Sequence, residues 1–202
     1  MSPAEDRLDP AARPTGGRLG MNAAAFVLLA ACPAGAQEAS RAPEYRIKAA
    51  FLYNFTLYTE WPPTAFETPQ SPIILAIAGE DPFGGELEAA VRGKTVRGRT
   101  LEVRRYEQAS DVAAPCHLLF FAGSQAKHLP QILKKFSSAI PLTVGETEDF
   151  TRIGGGIRLF VEEHKIRFEI NTDAVNRAHL KISSKLLHLA KIVHDPEAPK
   201  DR

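Results

Sequence analysis

The chain has 202 residues, with 25 lysines and arginines against 24 aspartates and glutamates, which gives a formal net charge of +1. This near balance, with no basic cluster interleaved with aromatic residues, argues against a nucleic-acid-binding protein. The two cysteines, Cys32 and Cys116, also argue against a disulfide-rich scaffold.

The first predicted element is a secretory signal. Arg18 precedes an uncharged run over residues 21–31, and Ala34-Gly35-Ala36 forms a small-x-small cleavage site. The run is too short to span a bilayer as a mature helix. We therefore expect residues 1–36 to be an N-terminal extension and signal peptide that directs the chain to the periplasm. Whether translation starts at Met1 or Met21 is left open.

The same segment also fits a lipoprotein signal. In that alternative, Leu29-Ala30-Ala31 precedes Cys32, which would become the lipidated first residue. Cleavage after Ala36 would instead remove Cys32 and leave Cys116 as the single cysteine, so that no internal disulfide could form. Cys116 directly precedes an apolar run, which favours a buried and inert thiol. Both alternatives place the folded chain outside the cytoplasm.

A helix is predicted from Glu44 to Glu60, and it is ended by Trp61-Pro62-Pro63. On a helical wheel one broad face is mainly apolar and consists of Ile47, Ala50, Phe51, Asn54, Phe55, Leu57, Tyr58 and Trp61. We expect this face to pack on the core, with Leu52 and Tyr53 outside it. Because apolar residues cover more than half of the circumference, the helix either packs within the domain or also contacts a partner.

Two uninterrupted apolar runs, residues 73–78 and 118–122, predict central strands of a parallel sheet that is covered on both faces. Each run is followed by a predicted helix, at residues 83–91 and 126–136. An alternating edge strand and a short further strand are predicted at residues 101–106 and 141–144.

Period-two alternation in residues 157–161 and 165–170 predicts an antiparallel hairpin. A short helix is predicted from Asp173 and a last helix over residues 183–193. The tail, residues 194–202, is predicted to be disordered.

These elements predict an α/β fold with a single domain over residues 44–193. The expected architecture is a three-layer sandwich with a mixed, mostly parallel sheet of about six strands. A C-terminal antiparallel hairpin completes the sheet, and helices flank it.

Polar residues follow the predicted parallel strands and form a candidate ligand-binding rim. They are Gly79, Glu80, Asp81, Ser124 and Glu146. Ligands of open α/β sheets bind outside the carboxyl ends of the strands, where these residues would converge. The same residues also suit ordinary turns and helix starts, so both interpretations stay open.

No catalytic or metal motif is recognisable in the sequence. The six histidines form neither an H-x-x-x-H pair nor an H-E-x-x-H motif, and no nucleophile elbow, Walker loop or dinucleotide-binding loop occurs. We therefore expect a protein without enzymatic activity, metal or cofactor.

Several motifs together carry a family resemblance. In chain order they are Lys48–Phe55 with Trp61-Pro62, Ile77–Gly84, Cys116–Phe121, Phe150 with Gly154-Gly155, Ile166–Asn171 and Leu180–Leu187. Each motif is weak alone, but their order and spacing over residues 44–193 resemble the YfiR family of periplasmic proteins.

The resemblance implies an α/β sandwich, often dimeric, that has no catalytic activity. Characterised YfiR proteins bind the periplasmic sensor region of a membrane-bound, YfiN-type diguanylate cyclase and repress it, which lowers cyclic di-GMP and biofilm formation. Better-studied members use several cysteines, whereas Cys116 lacks partners here, so redox control by an internal disulfide is not expected. A small-ligand pocket is associated with the family, but no matching Arg/His set occurs near Lys181 and Ser183.

A partner held through the first helix would need exposed apolar anchors. Leu52 and Tyr53, outside the predicted core face, are the first candidates for partner binding, and Leu57 is the next. The alternative function is that of a periplasmic small-molecule-binding module, with its pocket at the strand-end rim.

Overall fold

The computed structural model describes residues 34–112, 115–136 and 141–196, with side chains described from residue 42 onward. A compact unit begins at Ala34. Most of the predicted signal peptide and the candidate lipidation site Cys32 lie outside the described residues, and so do residues 197–202. Within the described ranges, no helix combines the length and the apolar character needed to cross a membrane.

Helices and strands follow one another in an α/β order. The α-helices are α1 (Ala34–Leu57), α2 (Glu86–Val91), α3 (Leu129–Phe136), α4 (Thr172–Arg177) and α5 (Ser184–Leu187). The strands are β1 (Thr59–Glu60), β2 (Ile73–Ala78), β3 (Thr95–Val96), β4 (Arg99–Tyr106), β5 (Leu118–Phe121), β6 (Leu142–Gly145), β7 (Ile157–Glu162), β8 (Lys165–Asn171), β9 (Lys181–Ile182) and β10 (Lys191–Val193). Short 3-10 helices lie at Pro63–Ala65, Ala109–Asp111 and Gly123–His128.

The main sheet has eight strands in the order β10-β8-β7-β6-β5-β2-β4-β3. Strands β4, β2, β5, β6 and β7 are parallel, whereas β8 and β3 are antiparallel to their neighbours β7 and β4. Strand β10 runs parallel to β8, and β1 pairs with β9 in a separate antiparallel sheet. The predicted mixed, mostly parallel α/β sheet with a late antiparallel hairpin is confirmed, with more strands than expected.

The central strands separate two apolar cores, which gives the predicted three layers. Leu75, Ile77 and Phe120 face the core that α1 and α2 cover, whereas Leu119 and Phe121 face the core that α3 covers. Every residue of β2 and β5 is buried, because both faces of the sheet are covered.

Helix α1 buries a different face from the predicted one. Leu52 is 0% exposed, at helical spacing from the buried Lys48 and Phe55, whereas Ile47 is 49% exposed and Leu57 is 37% exposed. The prediction that Leu52 lies outside the core-facing side was therefore wrong. The wheel failed because it treated Lys48 as a polar surface residue, and this shifted the predicted apolar stripe around the helix.

The predicted edge strand is confirmed, whereas the predicted last helix differs from expectation. Strand β3 pairs with β4 only at Arg99 and Thr100, so residues 101–106 pair with β2 alone and lie at the edge of the sheet. The predicted helix over residues 183–193 ends at Leu187, and β10 follows it. The local sequence permits either structure, and the pairing of β10 with β8 favours the strand.

Asp195, near the start of the tail predicted to be disordered, contacts the folded domain. The Asn171 side chain is buried, and its Nδ2 donates to Asp195 Oδ1 and to Thr151 O, both at 2.8 Å. Asp195 also contacts Arg177. The Asn171 Oδ1 accepts hydrogen bonds from the first turn of α4, so a single buried amide joins β8, α4 and the segment after β10.

Phe150 is wedged between two glycines. A Cβ added at Gly145 would lie 2.5 Å from the Phe150 ring, and one at Gly155 would lie closer still. The ring is fully buried and packs at 5.9 Å from Phe121 in the core below α3. The loop between β6 and β7 is therefore fixed by an aromatic side chain that occupies the space of two missing side chains.

Candidate functional site

The carboxyl ends of β2, β5 and β6 border an open cleft of about 730 Å³. Glu80, Asp81, Ser124 and Glu146, four of the predicted rim residues, line it. The sequence prediction missed other lining side chains, among them Glu44, Tyr45, Phe83 and Glu86. The predicted convergence at the strand ends does occur, and α1 provides one wall of the cleft.

The fifth rim residue, Gly79, shapes the turn beneath the cleft. Its φ of +97° disfavours other residues, and a Cβ there would collide with Ser124 Oγ. That oxygen accepts a hydrogen bond from Glu80 N at 2.9 Å. Gly79 and Ser124 thus hold the turn after β2 in place.

Asp81 is also engaged in local structure. Its Oδ1 accepts from Phe83 N at 2.7 Å, and its Oδ2 accepts from Arg105 Nε at 2.7 Å. Arg105 also pairs with Glu88, and this hydrogen bond holds the pKa of the Glu88 carboxyl below its ordinary value. Asp81 therefore serves the turn role that the sequence equally predicted, but it does not start a helix, because α2 begins at Glu86 with Gly85 as its N-cap.

A buried lysine joins α1 to the rim. Lys48 is 4% exposed; its Nζ lies 2.6 Å from Glu146 Oε1 and also contacts Glu44. Tyr45 Oη donates to Glu146 Oε2 at 3.0 Å. Sequence reasoning missed Lys48 and Tyr45, although the four-residue spacing of Glu44 and Lys48 is a recognisable signal for an ion pair.

The cleft combines this charged wall with aromatic packing. The Tyr45 ring meets Phe83 edge-on, with centroids 5.3 Å apart, and Phe83 packs on Phe120 in the core. Carboxylates outnumber cationic groups among the lining side chains. Across the described residues, no group of three or more histidine, cysteine or acidic side chains is arranged to hold a metal ion.

Cys116 and His117 lie away from the cleft. Burial raises the pKa of the Cys116 thiol to about 12, in agreement with the predicted inert cysteine. His117 Nδ1 accepts from Ile74 N at 3.0 Å, so its Nε2 carries the proton toward Ala65 O at 3.1 Å. Burial lowers the pKa of His117 to about 4, and the neutral ring fixes the loop after β1 to the sheet.

The candidate partner-binding residues have different environments. Leu52 is buried in the core, which makes it unavailable to a partner. Tyr53 is half-buried, and Leu57, one helical turn further on, is exposed. The Nζ of Lys94 lies 4.1 Å from the centroid of the Tyr53 ring. We call the exposed end of α1 formed by Tyr53 and Leu57 the Tyr53–Leu57 surface.

Comparison with solved structures gives a distant likeness. The chain is similar to "the ABC domain in complex with L-Trp" from Streptococcus pneumonia, with 10% identity and a TM-score of 0.46. The match covers 60% of this chain and 55% of the length of that structure. Comparison with curated proteins gives no match.

A family model described as YfiR/HmsC-like matches residues 45–191. The match includes the cleft-lining residues from Tyr45 onward, the Tyr53–Leu57 surface and the eight-stranded sheet except the last two residues of β10. Proteins of this family are periplasmic, and their domain is regulatory and not catalytic. The chain belongs to the YfiR/HmsC-like family of periplasmic regulators of diguanylate cyclase.

Proposed function

We propose that this protein binds the periplasmic sensor region of a membrane-bound diguanylate cyclase and holds the enzyme inactive. Repression would lower cyclic di-GMP and reduce biofilm formation. Membership of the YfiR/HmsC-like family supports the regulatory role. We further propose that residues 1–36 direct export, and that the folded chain acts as a monomer or homodimer in the periplasm.

The exposure of Leu57 is the observation that supports contact through α1. The opposite side of α1, with Ala49, Leu52 and Phe55, is completely buried and already used by the core. Leu57 is 37% exposed at the end of the helix, beside the partly buried Tyr53 ring. An apolar side chain next to a tyrosine is the kind of anchor that dominates the energy of protein interfaces.

Replacing Leu57 by aspartate is expected to weaken binding of the cyclase sensor region at least about tenfold, because an apolar anchor becomes a desolvated charge. Binding is measured by interferometry with the purified sensor region, and cyclic di-GMP is measured in cells that carry the variant. We expect cyclic di-GMP to rise while the variant keeps its melting temperature.

Two variants control this experiment. Ile153→Asp places the same charge at a residue that is also 37% exposed but lies in the loop between β6 and β7, and it is expected to leave binding unchanged. Leu52→Asp places a charge in the core and is expected to prevent folding. Equal binding by wild type and Leu57→Asp would contradict contact through this surface.

The strand-end cleft supports a second candidate function, the binding of a small molecule. Its volume is in the range of ligand pockets, and it brings Glu80, Ser124 and the Tyr45 ring to one opening. A metabolite at a hundred times its dissociation constant is expected to add about 2.7 kcal/mol to the free energy of unfolding. A thermal-shift screen tests this, with Glu80→Gln as the variant expected to lose the shift. Equal shifts in wild type and Glu80→Gln would contradict binding in the cleft.

A further inference from the structure

Exposed cationic side chains surround the Tyr53–Leu57 surface. Lys94 lies over the Tyr53 ring, and Arg92, also exposed, lies two residues before it at the end of α2. Arg97, in the turn between β3 and β4, pairs with Glu60 at 2.5 Å. Glu60 follows α1 in β1 and is opposite Lys181 of β9, which is exposed. Two contacts therefore place cations near the apolar anchor, Lys94 on the Tyr53 ring and Arg97 on Glu60, and the exposed Arg92 and Lys181 are their neighbours in the sequence and in the strand pairing.

These cations lie at the opposite end of α1 from the carboxylate-rich cleft. Glu44 and Tyr45 of α1 line the cleft, whereas Tyr53 and Leu57 lie two to three turns further along the helix. The carboxylates of the cleft and the cations near Tyr53 thus lie at two ends of one helix. An acidic surface would be attracted to the Tyr53–Leu57 end and repelled by the cleft, which would orient an approaching partner before contact.

We infer that the cyclase sensor region presents an acidic face to the Tyr53–Leu57 surface, with carboxylates paired to Arg92 and Lys94. This inference rests on the proposed function and specifies the chemistry of its partner. A carboxylate that meets Lys94 also lies beside the Tyr53 ring, so ionic and apolar contacts occur in one small area. The ionic contacts at the rim of such an interface mainly raise the association rate.

The position of Glu60 favours a protein partner over an anionic membrane surface. Its carboxylate lies between Arg97 and Lys181, and Arg97 holds the pKa of Glu60 below its ordinary value, so the group is ionised. A uniformly anionic lipid surface offers no group that could donate a hydrogen bond to this carboxylate. A folded partner can place acidic groups opposite Lys94 and a hydrogen-bond donor opposite Glu60.

The test measures association of the mature chain with the isolated periplasmic region of the cyclase by interferometry, at about 50 and about 500 mM NaCl. We expect the wild-type association rate to fall at least about tenfold at the higher salt concentration. The variant Arg92→Glu/Lys94→Glu is expected to associate at least about tenfold more slowly at low salt, with little remaining salt dependence. The control variant Arg152→Glu/Lys165→Glu changes the net charge equally at exposed residues elsewhere and is expected to behave as wild type.

The outcomes separate this inference from the proposed function. If binding is tight and depends neither on salt nor on Arg92→Glu/Lys94→Glu, the inference of an acidic partner face is overturned. The proposed repression of the cyclase is then unaffected. Absence of binding at both salt concentrations would overturn both. If the wild-type chain sediments with phosphatidylglycerol vesicles and Arg92→Glu/Lys94→Glu does not, the inference is overturned in favour of a membrane surface.

Discussion

Replacing Lys48 by alanine is expected to lower the free energy of unfolding by about 3 kcal/mol. Lys48 is almost completely buried between Glu44 and Glu146, so its removal leaves the Glu146 carboxylate in the wall of the cleft without its cation. Removing one member of a buried ion pair costs more than the pair contributes, because the remaining charge stays partly desolvated. Urea unfolding at neutral pH measures the loss, read from the transition midpoint at constant slope.

Two further variants identify the cause of this loss. Lys48→Met keeps an apolar stem, and adding Glu146→Gln to it is expected to restore most of the stability, because the less exposed of the two unpaired carboxylates is removed and the Glu44 carboxylate is more accessible to water. Arg97→Ala removes one member of the exposed pair with Glu60 and is expected to change the stability far less than Lys48→Ala does, because water and salt screen an exposed pair. A loss below about 1 kcal/mol for Lys48→Ala would contradict the structural role of the buried lysine.

Lowering the pH from about 7 to about 4.5 is expected to remove about 2 kcal/mol of stability through His117. Burial lowers the pKa of His117 from 6.5 to about 4 in the folded chain. Below pH 6.5 the unfolded chain therefore binds a proton that the folded chain does not bind. The contribution of the neutral ring is complete above pH 6.5, and it is lost progressively as the pH falls toward 4. Partial solvent screening keeps the loss smaller than the full shift would give.

The measurement compares unfolding free energies of wild type and His117→Gln across this pH range. The variant is less stable at neutral pH, because Ile74 N and Ala65 O lose their partners, but its stability is expected to fall less steeply with acid. His164→Gln, in the exposed turn between β7 and β8, is the matched control with the wild-type slope. Parallel curves for wild type and His117→Gln would show that His117 does not carry the acid sensitivity.

The sheet could be predicted because its signals are local. Every residue in 73–78 and 118–121 is apolar, and only strands covered on both faces require this pattern. The convergence of Glu80, Ser124 and Glu146 followed from the parallel strand order alone. These predictions needed no knowledge of which distant residues touch.

The errors arose where a distant contact decides the structure. Lys48 occupies a buried position because Glu146, about a hundred residues later, pairs with it, and a helical wheel contains no such information. Leu52 was misplaced as a consequence of the same shift. The segment after α5 forms β10 because it pairs with β8 and because Asn171 holds Asp195. Neither contact leaves a pattern in the neighbouring sequence.

The packing of the Phe150 ring against Gly145 and Gly155 limits which residues can stand at these positions. Glycine is required at positions 145 and 155 because a side chain there would collide with its neighbours. Neither residue has the left-handed backbone conformation that favours glycine at position 79. The constraint on Gly145 is therefore conditional on the residue at position 150, whereas a Cβ at Gly155 would also lie 2.7 Å from the Phe150 carbonyl oxygen. A homologue with a smaller side chain at position 150 is free to carry alanine or serine at position 145, so these two sites should vary together during evolution, while position 155 should stay glycine.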